Sequence, residues 1–226
     1  LATDAPVVTI TDGVDDASAG FTNTVDASIF TGATSFVNDI STAKVSYTEL
    51  ADGQSVTIKG NGTITNADTD IAYKSTVETA TLNVDGGVTA GAITLTAAGL
   101  TTATINSTGA DNVTGAIDLA GAKTVTVNAT EGLEGTIATT GTEGTLTING
   151  AGAVDLGALD GGFDTVNAAG NSGGITVAIG TETDTILTGS TGDDTITAST
   201  NDDTSGSSLK LAVDAGAGTD TLVIGD

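Results

Sequence analysis

Apolar and polar residues alternate along this chain in short runs that return about once every 20 residues. Four runs read T-x-T-ψ-N, with ψ apolar: Thr79-Ala80-Thr81-Leu82-Asn83, Thr102-Ala103-Thr104-Ile105-Asn106, Thr124-Val125-Thr126-Val127-Asn128 and Thr145-Leu146-Thr147-Ile148-Asn149. Phe163-Asp164-Thr165-Val166-Asn167 reads as a degenerate fifth. The central threonines Thr81, Thr104, Thr126, Thr147 and Thr165 are 23, 22, 21 and 18 residues apart, a period in the solenoid range. Alternation places Ala80 with Leu82, Ala103 with Ile105, Val125 with Val127 and Leu146 with Ile148 on one face and the threonines on the other, so each copy is a half-buried strand. A second alternation follows in each period, at Ile93-Thr94-Leu95, Ile117-Asp118-Leu119, Ile137, Val154-Asp155-Leu156 and Ile175-Thr176-Val177. Two strands per rung is the simplest reading.

A rung this small cannot bury its apolar face alone and has to stack on its neighbours, about 4.8 Å apart, with small aliphatic side chains layered inside. The repeated asparagines are expected to form a ladder that satisfies turn backbone groups. The predicted fold is all-β: a right-handed parallel β-helix, or β-solenoid, with β-roll-like turns toward the C-terminus. Three regions are expected: an irregular β-rich capping segment over 1–76, β-helix rungs over 77–160, and glycine- and aspartate-rich rungs over 161–226. Phe21, Phe30, Phe36, Tyr47 and Tyr73 lie in the first region, where they are expected to fill a wider core or cap the solenoid end, with Lys44 and Lys59 helping to blunt that edge.

Composition narrows the function. Among 226 residues only six are aromatic and none is Trp, as suits a thin solenoid interior. With no cysteine there are no disulfides, no thiolate metal site and no catalytic thiol. The formal charge is −24, from 29 carboxylates against five lysines, with no histidine. Such a surface repels nucleic-acid phosphates and anionic lipid, and its natural counter-ion is a divalent cation, with Ca²⁺ the one that all-oxygen ligands favour. No apolar run approaches the length of a membrane span. Leu1 is not an initiator methionine, and the chain is expected to be a fragment of a longer one.

The most specific chemistry is C-terminal. Gly189-Ser190-Thr191-Gly192-Asp193-Asp194-Thr195-Ile196-Thr197 matches the calcium-binding nonapeptide G-G-x-G-x-D-x-U-x at all but the second glycine, and Ala215-Gly216-Ala217-Gly218-Thr219-Asp220-Thr221-Leu222-Val223 at all but the first. Segments 179–187 and 161–166 are weaker echoes. Glycines permit tight turns that expose carbonyls, and the aspartate adds charge, so stacked turns offer Ca²⁺ the 6 to 8 oxygens it prefers. The first candidate ligands are Asp184, Asp194 and Asp220, with Asp164, Asp193, Asp202 and Asp203 behind them, in turns shaped by Gly189, Gly192, Gly216 and Gly218. Gly-Asp turns also form without metal, so both readings stay open. Asp12-Gly13-Val14-Asp15-Asp16 is a further acidic turn, without the 12-residue calcium loop and its terminal Glu.

These nonapeptides resemble RTX repeats, and together with the T-x-T-ψ-N rungs and phrases such as Val25-Asp26-Ala27-Ser28-Ile29-Phe30-Thr31-Gly32 and Leu50-Ala51-Asp52-Gly53-Gln54-Ser55-Val56-Thr57-Ile58 they are similar to RTX-type bacterial surface-layer proteins. The resemblance implies type I secretion, Ca²⁺ as cofactor, and self-assembly into a calcium-dependent lattice on a Gram-negative cell surface. Its expected partners are copies of the chain itself and cell-surface polysaccharide. The nonapeptides are too few and too broken for a long tandem calcium roll, which leaves sparse sites within a solenoid. An RTX adhesin or biofilm-matrix module, and an ice-binding solenoid with outward threonine ladders, are the alternatives. An enzyme is not expected. Asp118 and Asp155 read as equivalent second-strand carboxylates, yet there is no His, Arg or Cys to work with them and no basic cluster to hold an anionic sugar.

Overall fold

The computed structural model describes residues 6–11, 22–140, 143–159, 162–179, 185–199 and 211–225. They form a parallel β-solenoid built of three sheets. The ten-stranded sheet stacks Val7–Thr11, Ser35–Asp39, Ser55–Lys59, Thr79–Asp85, Thr102–Thr108, Thr124–Ala129, Gly144–Gly150, Phe163–Asn171, Ile186–Thr188 and Ala212–Asp214. The six-stranded sheet stacks Thr22–Asp26, Lys44–Leu50, Thr69–Tyr73, Ile93–Thr96, Ile117–Ala120 and Ile137–Ala138. The eight-stranded sheet starts later, at Thr65–Asn66, and continues through Thr89–Ala90, Asn112–Val113, Leu133–Glu134, Val154–Ala158, Ile175–Ile179, Thr195–Ser199 and Thr221–Gly225. The helical element among the described residues is a single 3-10 turn, Ala27–Ile29, and no helix there is long and apolar enough to cross a membrane.

The chain's route corrects the expectation of two strands per rung. From residue 7 to 50 it alternates between the ten- and six-stranded sheets, from 55 to 138 it visits all three in turn, and from 144 onward it alternates between the ten- and eight-stranded sheets. The extra strand of the central rungs is only two residues long, too short for an alternation pattern to register. Asp118 and Asp155 are therefore not equivalent. Asp118 sits beside Thr94 and Ala138 in the six-stranded sheet, and Asp155 beside Glu134 in the eight-stranded sheet.

The T-x-T-ψ-N copies stack in register. Thr79, Thr102, Thr124 and Thr145 form one column and Thr81, Thr104, Thr126 and Thr147 another, with Leu82, Ile105, Val127 and Ile148 layered inside and fully buried. Differences in rung length are absorbed in the turns and the other two sheets, so this face stays regular. The asparagines form the expected ladder, though they satisfy each other rather than turn backbone: Asn106 donates to Asn83 at 2.8 Å, Asn128 to Asn106 at 2.9 Å and Asn149 to Asn128 at 3.3 Å. The fifth copy stacks two residues away from its expected place, with Thr165 beside Thr145 and Asn167 beside Thr147, followed by a bulge that sets Gly170 beside Asn149. A two-residue slip leaves the in-out alternation intact, so hydrophobic pattern alone cannot detect it.

The aromatic core lies where expected. Phe36 packs against Phe30 and Tyr47 with centroids 6.0 Å apart in each pair, and Phe36, Tyr47 and Tyr73 are buried. Phe21 lies outside the described residues. Lys44 and Lys59 blunt no edge, because their strands are paired on both sides; Lys44 instead bridges to Asp70 at 2.7 Å.

Burial raises the pKa of both tyrosines, and that of Tyr73 reaches about 12 although its hydroxyl bonds the backbone of Gln54 and Thr81. The unfolded chain ionises these phenols near pH 10, so this part of the stability is intact below pH 10 and falls as the pH climbs toward 12, by about 2–3 kcal/mol from Tyr73 alone. In an alkaline titration tyrosinate absorbance is expected to rise together with loss of β circular dichroism. Ionisation near pH 10 in the still-folded protein would contradict the burial.

Candidate functional site

The nonapeptide turns sit at one corner of the solenoid, where the chain leaves the ten-stranded sheet for the eight-stranded one. Successive rungs meet there backbone on backbone. A Cβ at Gly189 would collide with the carbonyl of Ala215, one at Gly216 with that of Ser190, and one at Gly218 with that of Gly192, while Gly192 lies against Gly173 and Gly174. Gly216 and Gly218 also adopt positive φ, which favours glycine. Close stacking therefore accounts for all four consensus glycines before any ligand is invoked.

The aspartates divide by position. Asp194 is 1 % exposed, and its two oxygens accept from the Ile175 N–H at 2.8 Å, the Ser190 hydroxyl at 2.6 Å and the Ser190 N–H at 2.7 Å. Asp220, one rung on, accepts from the Asp194 N–H at 3.1 Å, and Asp193 accepts from the Thr219 N–H at 2.7 Å. Asp193, Asp194 and Asp220 are thus brought together across two rungs, each lacing one turn to the next. Asp164 is elsewhere, half-buried in the strand Phe163–Asn171 on the ten-stranded sheet. Asp184, Asp202 and Asp203 lie outside the described residues, as does the Asp12–Asp16 turn.

In earlier rungs of the same corner, amides do what Asp194 does. Buried Asn112 accepts from the Val88 N–H at 2.8 Å and donates to Ala110 O at 2.7 Å and Ser107 Oγ at 2.9 Å; buried Asn171 accepts from the Gly173 N–H and donates to Gly152 O, each at 2.9 Å. Sequence reading missed both, since they fall after the T-x-T-ψ-N phrase. It also missed a groove of about 260 Å³ along the eight-stranded sheet, lined by Asp111, Glu134, Asp155, Thr176 and Asp193 among others. Glu134 and Asp155 are direct neighbours in the ladder there. Asp111 and Asp155 bond the N–H groups of Gly132 and Gly157, at 2.9 and 3.0 Å. Among the described residues no three acidic side chains converge closely enough to hold a metal by themselves. A cation at this corner would draw on Asp193 and Asp220 together with turn carbonyls, the oxygen set that Ca²⁺ accepts.

Comparison with known proteins finds no match: neither a family model, nor a curated protein, nor a solved structure is significantly similar to the chain.

Replacing Asp194 with Ala leaves two buried N–H groups and a hydroxyl without their acceptor. An expected loss of about 2–4 kcal/mol, measured by urea unfolding in excess chelator, tests this metal-independent role. An unchanged midpoint in chelator would show that Asp194 does not lace the corner.

Proposed function

We propose that this chain is part of a structural extracellular protein, exported by type I secretion, that self-assembles into a calcium-dependent surface layer on a Gram-negative bacterium. The observation that carries this reading is the stacking of carboxylate-bearing turns, Asp193 and Asp194 over Asp220, on a solenoid whose net charge is −24. Self-repulsion of that size opposes both folding and close approach of copies, and a divalent cation relieves it. A cation that binds the folded chain alone stabilises it by about 2.7 kcal/mol at a concentration 100 times its dissociation constant. Low calcium inside the cell would then leave the chain unfolded for export, and higher calcium outside would fold and assemble it. An RTX adhesin or matrix module shares these features but does not need a lattice.

A second reading, ice binding, gains support from the in-register threonine columns. Among the described residues, their hydroxyls at Thr81, Thr102, Thr104, Thr124, Thr126, Thr145 and Thr147 have no side-chain partner, on a face whose strand spacing is about 4.8 Å.

Negative-stain imaging of the purified protein in millimolar Ca²⁺ and then in excess chelator separates these readings. Ordered sheets that dissolve on chelation are expected. Monomeric rods in both conditions would contradict the surface layer and favour the adhesin. Thermal hysteresis in freezing solutions, abolished by Thr126→Lys, would move the assignment to ice binding.

A further inference from the structure

Three buried side-chain polar atoms among the described residues have no hydrogen-bond partner, and two of them are amide carbonyls on adjacent rungs: Asn38 Oδ1 and Asn66 Oδ1. Both residues are completely buried. The third, the hydroxyl of Tyr47, belongs to the aromatic cluster.

Asn38 and Asn66 lie on the two rungs where the solenoid changes from two sheets to three. Asn66 belongs to Thr65–Asn66, the first strand of the eight-stranded sheet, and Asn38 lies on the preceding rung of the ten-stranded sheet, beneath Ile58. The segments around them are laced together. Lys59 O accepts from Asn66 Nδ2 at 3.0 Å and from the Ile40 N–H at 3.4 Å, Ser41 O accepts from the Ala67 N–H at 3.0 Å, and Asn38 Nδ2 donates to Thr69 Oγ1 at 3.2 Å. Ser41 and Thr69 are fully buried as well. Four buried polar residues thus lie in linked segments beside the aromatic part of the core.

The bonding inventory defines what is missing. Asn66 is held in its orientation by a carbonyl that takes only donors, so its own Oδ1 requires a donor. Exchanging the O and N of the Asn38 amide would give the Thr69 hydroxyl an acceptor, yet it would set an N–H2 group in the unpartnered position, which still needs a hydrogen-bond partner. Thr69 accepts from Asn38, and its own hydroxyl proton has no acceptor among the described residues. Besides the second N–H of each amide, the two unpartnered acceptors and the Thr69 hydroxyl offer the three bonds that a buried water typically makes. A cation fits less well, because the nearby carboxylates are already engaged, Asp68 with the Ala92 N–H at 2.9 Å and Asp70 with Lys44, and an unbalanced buried charge is costly.

We propose that this corner is a binding site for one internal water molecule, which donates to Asn38 Oδ1 and Asn66 Oδ1 and accepts from the Thr69 hydroxyl. The water takes the position that the eight-stranded sheet fills in later rungs, and it seals the junction where the coil widens.

A crystal structure of the intact chain that resolves ordered waters tests this directly. Density for one water within hydrogen-bond reach of both carbonyls is expected; an empty corner, or protein donors occupying it, overturns the proposal. Asn38→Leu gives a second readout. If the water is present, the variant loses one long-lived water by magnetic relaxation of the water oxygen, and its Tm falls by about 2–4 °C. A Tm that holds or rises, with the number of long-lived waters unchanged, means that the corner is dry and the site does not exist.

Discussion

Every rung of this molecule lies one strand spacing from the next, about 4.8 Å, and that single distance governs the rest of the structure. At such separation whatever occupies a position on one rung touches the equivalent position on the rung above. Side chains must then be alike or complementary in columns, as with Leu82, Ile105, Val127 and Ile148 inside and Asn83, Asn106, Asn128 and Asn149 outside. At corners, where the backbone turns and the pleat gives no clearance, they must be absent. Gly189, Gly192, Gly216 and Gly218 are glycine because the neighbouring rung's backbone occupies the space of a side chain.

The same distance sets the polar chemistry. A turn exposes N–H groups that have no strand partner, and the chain closes them with buried acceptors at one corner: Asn112 and Asp194 from an adjacent rung, and Asn171 within its own turn. Toward the C-terminus, in rungs that have already lost their third strand, the plug changes from the amide of Asn171 to the carboxylate of Asp194. A carboxylate accepts from more donors than an amide, at the cost of adding negative charge to a stack already rich in it. Calcium in the proposed function answers that accumulated charge, since the glycines and Asp194 each have a use within the protein chain alone.

Much of this architecture could be read from residues. The T-x-T-ψ-N phrase carries its own register, because threonine, aliphatic and asparagine positions recur together and only one stacking aligns them all. The third strand could not be read, since Thr89–Ala90 or Asn112–Val113 is too short to show a period of two. Nor could the slip at Thr165, where moving by two residues keeps Val166 inward and Thr165 and Asn167 outward. At the candidate site, nonapeptide spacing puts Asp194 and Asp220 at equivalent turn positions, while the bonds that Asp193 and Asp194 make to neighbouring rungs are visible only in the structure. The placement of Asp164 is not legible there, because its Gly-Gly-Phe-Asp phrase reads as a turn while Phe163 and Asp164 open a strand. The groove beside Glu134 and Asp155 depends on which sheet each strand joins, and no local pattern encodes that.

Site-resolved hydrogen exchange of the purified chain tests the in-register stack most directly, because backbone amides paired to rungs on both sides open only when the coil itself does. The account predicts slowest exchange in Thr102–Thr108 and Thr124–Ala129, central strands of the ten-stranded sheet, with protection falling off rung by rung toward either end. Fast exchange in those two strands, or protection that does not grade along the stack, would contradict a solenoid held together by its rung-to-rung register.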